Sequence, residues 1–310
     1  RFARRLLSDP AAPGPWINAT GVVFGAEGLS PALADGAVHA AVQLAGDYHP
    51  DAAALRAEAT SLFGELIPGT DAVITGSVDE ALVLAASALA GGRTATVLTA
   101  RDEAGAVDWA KLGARSGAVL KVQPLGQPLT DCAAAVAFRA PEATDPPGEP
   151  WPSTGGDAVR VDVAPPAGIL DPADIGLATV APIAARLTAG ADVVIVDGSG
   201  LLAGPACGVI VGKPAIVAKI AAHPLAEIVL ADGLVAAMLA ATLRVYATRR
   251  HDTDACRLAL PAWQLLSAPL DNLRQRGARL ATILAATPGI ASATCREESR
   301  PWGFCGARPL

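Results

Sequence analysis

The stretch VVIVDGSGLLAGPACGVIVGK, Val193 to Lys213, decides how this chain is read. Val193–Val196 is a short run of β-branched residues, which fit a pleated strand better than a helix. Asp197-Gly198-Ser199-Gly200 follows, built from residues that bond their own backbone or tolerate tight turns. LLAGPACG then leads into a second strand, Cys207–Val211, closed by Gly212-Lys213. Two apolar strands with no polar alternation belong inside a sheet that is covered on both faces.

Working outward, strand and helix patterns alternate. Strands are expected at Ala72–Ile74, Ala95–Leu98, Val119–Val122, Ala133–Phe138 and Val159–Val163, with helices at Val78–Ala90, Val107–Ser116 and Ile175–Thr188. This order predicts an α/β fold with a mostly parallel sheet between helices. Upstream, two helical runs lie between Pro31 and Leu66, broken near Gly46–Pro50. One crossover departs from the rule: PEATDPPGEPWPSTGGD, Pro141 to Asp157, holds five prolines, so a loop replaces a helix there. Beyond Gly233 a long helix runs to about Thr248, and helical pattern resumes over Pro261–Thr287. The expected organisation is an N-terminal arm over 1–16, a large domain over 17–232 and a small, shortened C-terminal α+β domain over 233–310.

Composition narrows the function classes. The 310 residues are 52% hydrophobic but only 4% aromatic, so helices pack closely over alanine. A net charge of −6 disfavours a nucleic-acid face, whose affinity comes from clustered Lys and Arg. Only Lys111, Lys121, Lys213 and Lys219 are lysines, and Arg1, Arg4 and Arg5 read as a solvated start. The longest uncharged apolar helical stretch, Gly233–Leu243, falls short of the roughly 18 residues that read as a membrane span. No segment reads as a signal peptide. Cys132, Cys207, Cys256, Cys295 and Cys305 are odd in number and lack a CxxC pair, which points to reduced thiols in a cytoplasmic protein and not to zinc or disulfides. His39, His49 and His251 lack metal-ligand spacing, so no metal site is expected.

Four segments carry a resemblance: Ile17-Asn18-Ala19-Thr20-Gly21-Val22-Val23, the turn after Val196, His223-Pro224-Leu225, and Ala240–Tyr246 (AATLRVY). Together they resemble the bacterial selenocysteine synthases, the L-seryl-tRNA(Sec) selenium transferases, which are fold-type-I pyridoxal-phosphate (PLP) enzymes. The landmarks span roughly residues 17 to 250. The resemblance implies a PLP-transferase-like fold, a cofactor site on the sheet and a homodimer or higher homo-oligomer. In that family the strand is followed by Ser-Gly-Asp-Lys, and the lysine holds PLP as a Schiff base. On this chain that position is Gly200, which has no amine, so the aldimine cannot form there. The family's His-Thr-Asn-Leu-Gly-Arg is replaced by Phe24–Leu29, and its bases after His-Pro-Leu are missing from Ala226–Gly233, where Asp232 remains. Those synthases hold tRNA with an N-terminal module, and with residues 1–16 alone ahead of Ile17 the expectation is that tRNA is not a partner.

The resemblance places cofactor contacts at Thr75, Gly76, Ser77, Asp162 and Ser199. Each also has a plainer reading. Thr75-Gly76-Ser77 opens a helix, whose N–H groups and dipole attract anions, yet Ser77 or Thr75 can simply cap it, and Asp79 and Glu80 oppose a phosphate. Asp162 ends a buried strand, where a carboxylate needs a partner: a protonated pyridine nitrogen, or a neighbouring loop or helix N-terminus. Asp197 and Ser199 handle a ligand or cap turn amides. Cys207 is a nucleophile or a small buried residue, and His223 a base or a structural hydrogen-bonding group. The expected function is that of a PLP-transferase-fold scaffold without covalent PLP and without selenium transfer; the alternatives are a lyase or transferase binding PLP or a phosphorylated ligand non-covalently, related to D-glucosaminate-6-phosphate ammonia-lyase, or a structural or regulatory partner of an active paralogue.

Overall fold

A computed structural model describes residues 23–24, 30–49, 51–99, 107–124, 136–140, 151, 158–176 and 180–295. The arm over 1–16, Ile17–Val22, Cys132, Cys305, the tail after Cys295 and all of the proline-rich crossover except Trp151 lie outside the described residues.

Two helices come first, α1 (Asp35–Gly46) and α2 (Ala52–Leu66). Asp51 caps α2, its side chain accepting the Ala54 N–H. The sheet then builds from β1 (Asp71–Thr75), β2 (Thr94–Thr99), β3 (Val119–Pro124), β4 (Val136–Arg139), β5 (Val159–Val163), β6 (Val193–Asp197) and β7 (Gly208–Gly212). Its order is β1-β7-β6-β5-β4-β2-β3, and β7 runs antiparallel to both neighbours while the other pairs are parallel. Helices α3 (Val78–Ala90) and α4 (Trp109–Ser116) follow β1 and β2. Helix α5 (Ile183–Thr188) precedes β6, and α6 (Pro214–Ala221) and α7 (Ala226–Val229) follow β7. The chain continues through α8 (Gly233–Thr248), α9 (Thr253–Ala259), α10 (Pro261–Leu266) and α11 (Leu270–Ala285).

One helix is shorter than its sequence predicts. Instead of a run over Ile175–Thr188, a single 3-10 turn at Pro172–Ile175 ends on Gly176 in the left-handed region, φ 80°. The α-helix starts only after Pro182, which has extended backbone and stands at its N-terminal boundary. Pro269 likewise divides the expected Pro261–Thr287 run into α10 and α11.

Cross-strand register sorts the core into two layers. Ala72, Ile74, Val194, Val196, Val209 and Val211 face one way, with Phe63 of α2 and Leu239, Leu243 and Tyr246 of α8 in the same buried cluster. Val73, Val97, Phe138, Val161, Val163, Ile195 and Ile210 face the other, toward Leu82, Leu84 and Leu89 of α3 and Val217 and Ile220 of α6. β6 and β7 are apolar on both sides between their end residues, and several polar groups stand at the carboxyl edge of the sheet, where ligands bind in open α/β folds. Thr75, Arg139, Asp162 and Asp197 all stand at or next to that edge.

Candidate functional site

Asp197 leaves β6 and immediately folds back on the turn. Its Oδ1 accepts both the N–H and the hydroxyl of Ser199, each at 2.8 Å. Ser199 is therefore spent on an internal turn. Burial raises the Asp197 carboxyl above its ordinary 3.8, and the Ser199 and Cys207 hydrogen bonds offset part of that rise.

The turn then presses against the loop that follows β5. The Asp197 N–H donates to the Pro165 carbonyl at 2.9 Å, the Gly200 N–H to the Asp197 carbonyl at 3.1 Å and the Leu201 N–H to the Pro166 carbonyl at 3.2 Å. A Cβ at Gly200 would lie 2.8 Å from the Pro165 oxygen, 3.2 Å from the Asp197 oxygen and 3.3 Å from the Pro166 Cα. All three are main-chain atoms, so Gly200 is glycine because the backbone fills the space a side chain needs. Behind the turn, the Tyr246 hydroxyl donates to the Leu202 carbonyl at 2.9 Å and the Trp263 indole N–H to the Leu201 carbonyl at 3.0 Å. Both rings are buried, so the carbonyls of the turn are tied to α8 and α10.

At the head of α3 several donors are similarly committed. Thr75, fully buried, places its hydroxyl 2.8 Å from the Ser77 carbonyl and 3.2 Å from that of Gly208. The Gly76 N–H donates to the Val229 carbonyl at 3.0 Å, and Ser77 Oγ caps the Glu80 N–H at 3.2 Å. Glu80 itself folds over the glycine: its Oε2 would be 2.6 Å from a Cβ at Gly76, and it is enclosed without a hydrogen-bond partner.

Asp162 does not join these groups. It shares a cross-strand row with Val194, Val211 and Ala72, which puts it on the α2 and α8 face, while Thr75 alternates onto the α3 face. Its Oδ2 meets Arg186 Nη1 of α5 at 3.0 Å, with side chains 1% and 8% exposed. Arg186 Nε also donates to the Ala181 carbonyl at 3.1 Å. The other carboxylate oxygen, Oδ1, is enclosed with no hydrogen-bond partner. The partner is thus a guanidinium, a third answer that the sequence reading did not contain. Arg139, the register neighbour of Asp162 on β4, lies over the Trp151 ring at 4.3 Å.

The remaining candidates are structural in geometry. Cys207 is buried, and that burial, reinforced by Asp197, pushes its thiol up to about 12, which keeps it protonated and unreactive near neutrality. His223 Nδ1 accepts the Leu225 N–H at 3.3 Å. All four lysines are exposed. Lys213 follows the end of β7 and pairs with Asp192, which precedes β6, so both lie at the opposite edge of the sheet from Gly200. No group of three or more potential metal ligands occurs among the described residues.

Residues 166–309, which include the turn, match the SelA family, L-seryl-tRNA selenium transferase. The L-seryl-tRNA(Sec) selenium transferase of Klebsiella pneumoniae subsp. pneumoniae is 40% identical over 100 residues, 32% of this chain and 21% of that protein. The chain is selenocysteine-synthase-like. The match spans only about a fifth of the length of that relative, 21%. In fold, this selenocysteine-synthase-like chain is similar to D-glucosaminate-6-phosphate ammonia-lyase, with a TM-score of 0.50 at 16% identity over 74% of this chain and 66% of that one. It is similar also to aspartate aminotransferase from Thermus thermophilus, with a TM-score of 0.51 at 13% identity over 83% and 71% of the two chains. The fold is that of the fold-type-I PLP enzymes.

Proposed function

We propose that this selenocysteine-synthase-like chain is a fold-type-I scaffold that forms no covalent bond to PLP and transfers no selenium to tRNA. One observation carries the reading: main-chain atoms of Pro165 and Pro166 close the space where a side chain would start at Gly200, the position that the resemblance aligns with the Schiff-base lysine. Two others support it. Asp162, the residue that would face a pyridine nitrogen, is ion-paired with Arg186, and Glu80 lies over Gly76 at the helix N-terminus that would receive a phosphate. These residues do not fit the covalently held cofactor, so no catalytic step is routed through it.

The same proposal holds that the chain works as a cytoplasmic, cofactor-free homodimer, acting as a structural or regulatory partner. Exposed apolar side chains support it: Val38 and Val42 on α1, and Leu273, Leu280 and Ile283 on α11. Among the described residues no helix is long and apolar enough to cross a membrane. An absorbance spectrum of purified protein mixed with PLP tests the cofactor part: the expected spectrum is the sum of its components, and a new band from a protein-bound aldimine would reject it. Light scattering at micromolar concentration without PLP tests the assembly, where a monomer would remove the structural role.

A further inference from the structure

We infer that this chain supplies from its own side chains the two charges that a phosphorylated pyridine ligand would bring, so that its site is neutralised from within. The inference rests on the reading above and extends it to named atoms. On one side of the sheet, the Arg186 guanidinium takes the place of a protonated ring nitrogen against Asp162. A carboxylate this deeply buried must have a cation or a set of donors near it, and Arg186 is the one ionised partner within 4 Å among the described residues. Asp162 Oδ1 is left enclosed and unbonded, as expected where one guanidinium reaches a carboxylate that has room for more donors.

On the other side, the Glu80 carboxylate takes the place of a phosphate at the head of α3. A helix N-terminus favours negative charge, and here the charge is covalently attached. Glu80 Oε2 is enclosed beside Gly76 without a hydrogen-bond partner, so the position is held by the helix field and packing instead of by dedicated donors. The Gly76 N–H is already bonded to Val229 and the Glu80 N–H to Ser77 Oγ. An incoming phosphate therefore meets a first helical turn that already carries two acidic side chains, Asp79 and Glu80.

The test compares wild type, Glu80→Gln, Arg186→Met and Asp162→Asn/Arg186→Met by thermal melting, with inorganic phosphate and with PLP as probes. Wild type should not respond to either at millimolar concentration. Glu80→Gln should bind phosphate at least tenfold more tightly than wild type, seen as a saturable rise of about 2–4 °C at ten times its dissociation constant. A wild-type response equal to that of Glu80→Gln, or a Glu80→Gln protein as unresponsive as wild type, would overturn the anion half. Arg186→Met should melt well below wild type or fail to fold, and Asp162→Asn/Arg186→Met should recover most of the loss. An Arg186→Met protein as stable as wild type, or a double variant with no recovery, would overturn the cation half. Borohydride trapping of the same samples separates the two readings. A lysine adduct in wild type rejects the cofactor-free scaffold, whereas a wild-type phosphate response without an adduct rejects this inference alone.

Discussion

Arg186 Nη1 and Asp162 Oδ2 meet at 3.0 Å in a layer where neither side chain is more than 8% exposed. Removing one member of a buried pair leaves an uncompensated charge, whereas removing both leaves none. Arg186→Met should therefore cost about 3–5 kcal/mol in urea unfolding, with most of it returned by Asp162→Asn in the same chain. A cost below about 1 kcal/mol, the range of exposed pairs, would mean that the contact is not held in solution.

Gly200 makes the second prediction. A methyl group 2.8 Å from a carbonyl oxygen must move main chain, not a flexible side chain. Gly200→Ala should lose about 1–3 kcal/mol, as overpacked sites do, and Gly200→Lys should lose at least as much while failing to form an aldimine or to convert seryl-tRNA. The absent polar residues of Phe24–Leu29 and the missing bases after Leu225 argue the same way, because catalytic groups that act as a unit are strongly non-additive. A stable, PLP-bound Gly200→Lys protein would show that the loop after β5 yields easily.

Asp197 gives a pH dependence. Its carboxyl is raised above 3.8 by burial, so the folded state prefers it protonated. The stability it contributes is full below its unfolded value and is lost as pH rises through the raised folded value. At pH 7 the wild type has lost that contribution. Asp197→Asn no longer titrates and keeps the oxygen that accepts from Ser199, so at pH 7 it should be as stable as wild type or more so. Any advantage should vanish as pH falls below about 3.8. A clear loss at pH 7 would mean that the turn needs the carboxylate charge.

The fold is legible where a central strand is a β-branched run bounded by Gly, Pro or Asp, a pattern that survives without knowledge of neighbours. Val193–Val196, between Asp192 and Asp197, is of this kind; Val159–Val163 keeps the alternating valines but carries Arg160 and Asp162 between them. That β7 inserts antiparallel between β1 and β6 is not legible, since strand order is a long-range property with no local mark. The opposing acids at the head of α3 could be read from Asp79 and Glu80 by position alone. Arg186 could not: it lies 24 residues from Asp162 in an alanine-rich run, and only packing reveals that its guanidinium turns inward. Its helix is also shorter than the expected Ile175–Thr188, because Pro182 stands at its N-terminal boundary. The wall around Gly200 was illegible for the same reason, being made by carbonyls of Pro165 and Asp197 whose approach depends on the register of β5 and β6.

The most direct measurement is borohydride reduction of the purified protein after incubation with excess PLP, followed by peptide mass spectrometry. With Gly200 closed and Lys111, Lys121, Lys213 and Lys219 all exposed, the expected result is no stoichiometric phosphopyridoxyl-lysine at any of the four. A stoichiometric adduct confined to Lys213 or Lys219 would contradict the account, because it would move the Schiff-base site away from Gly200.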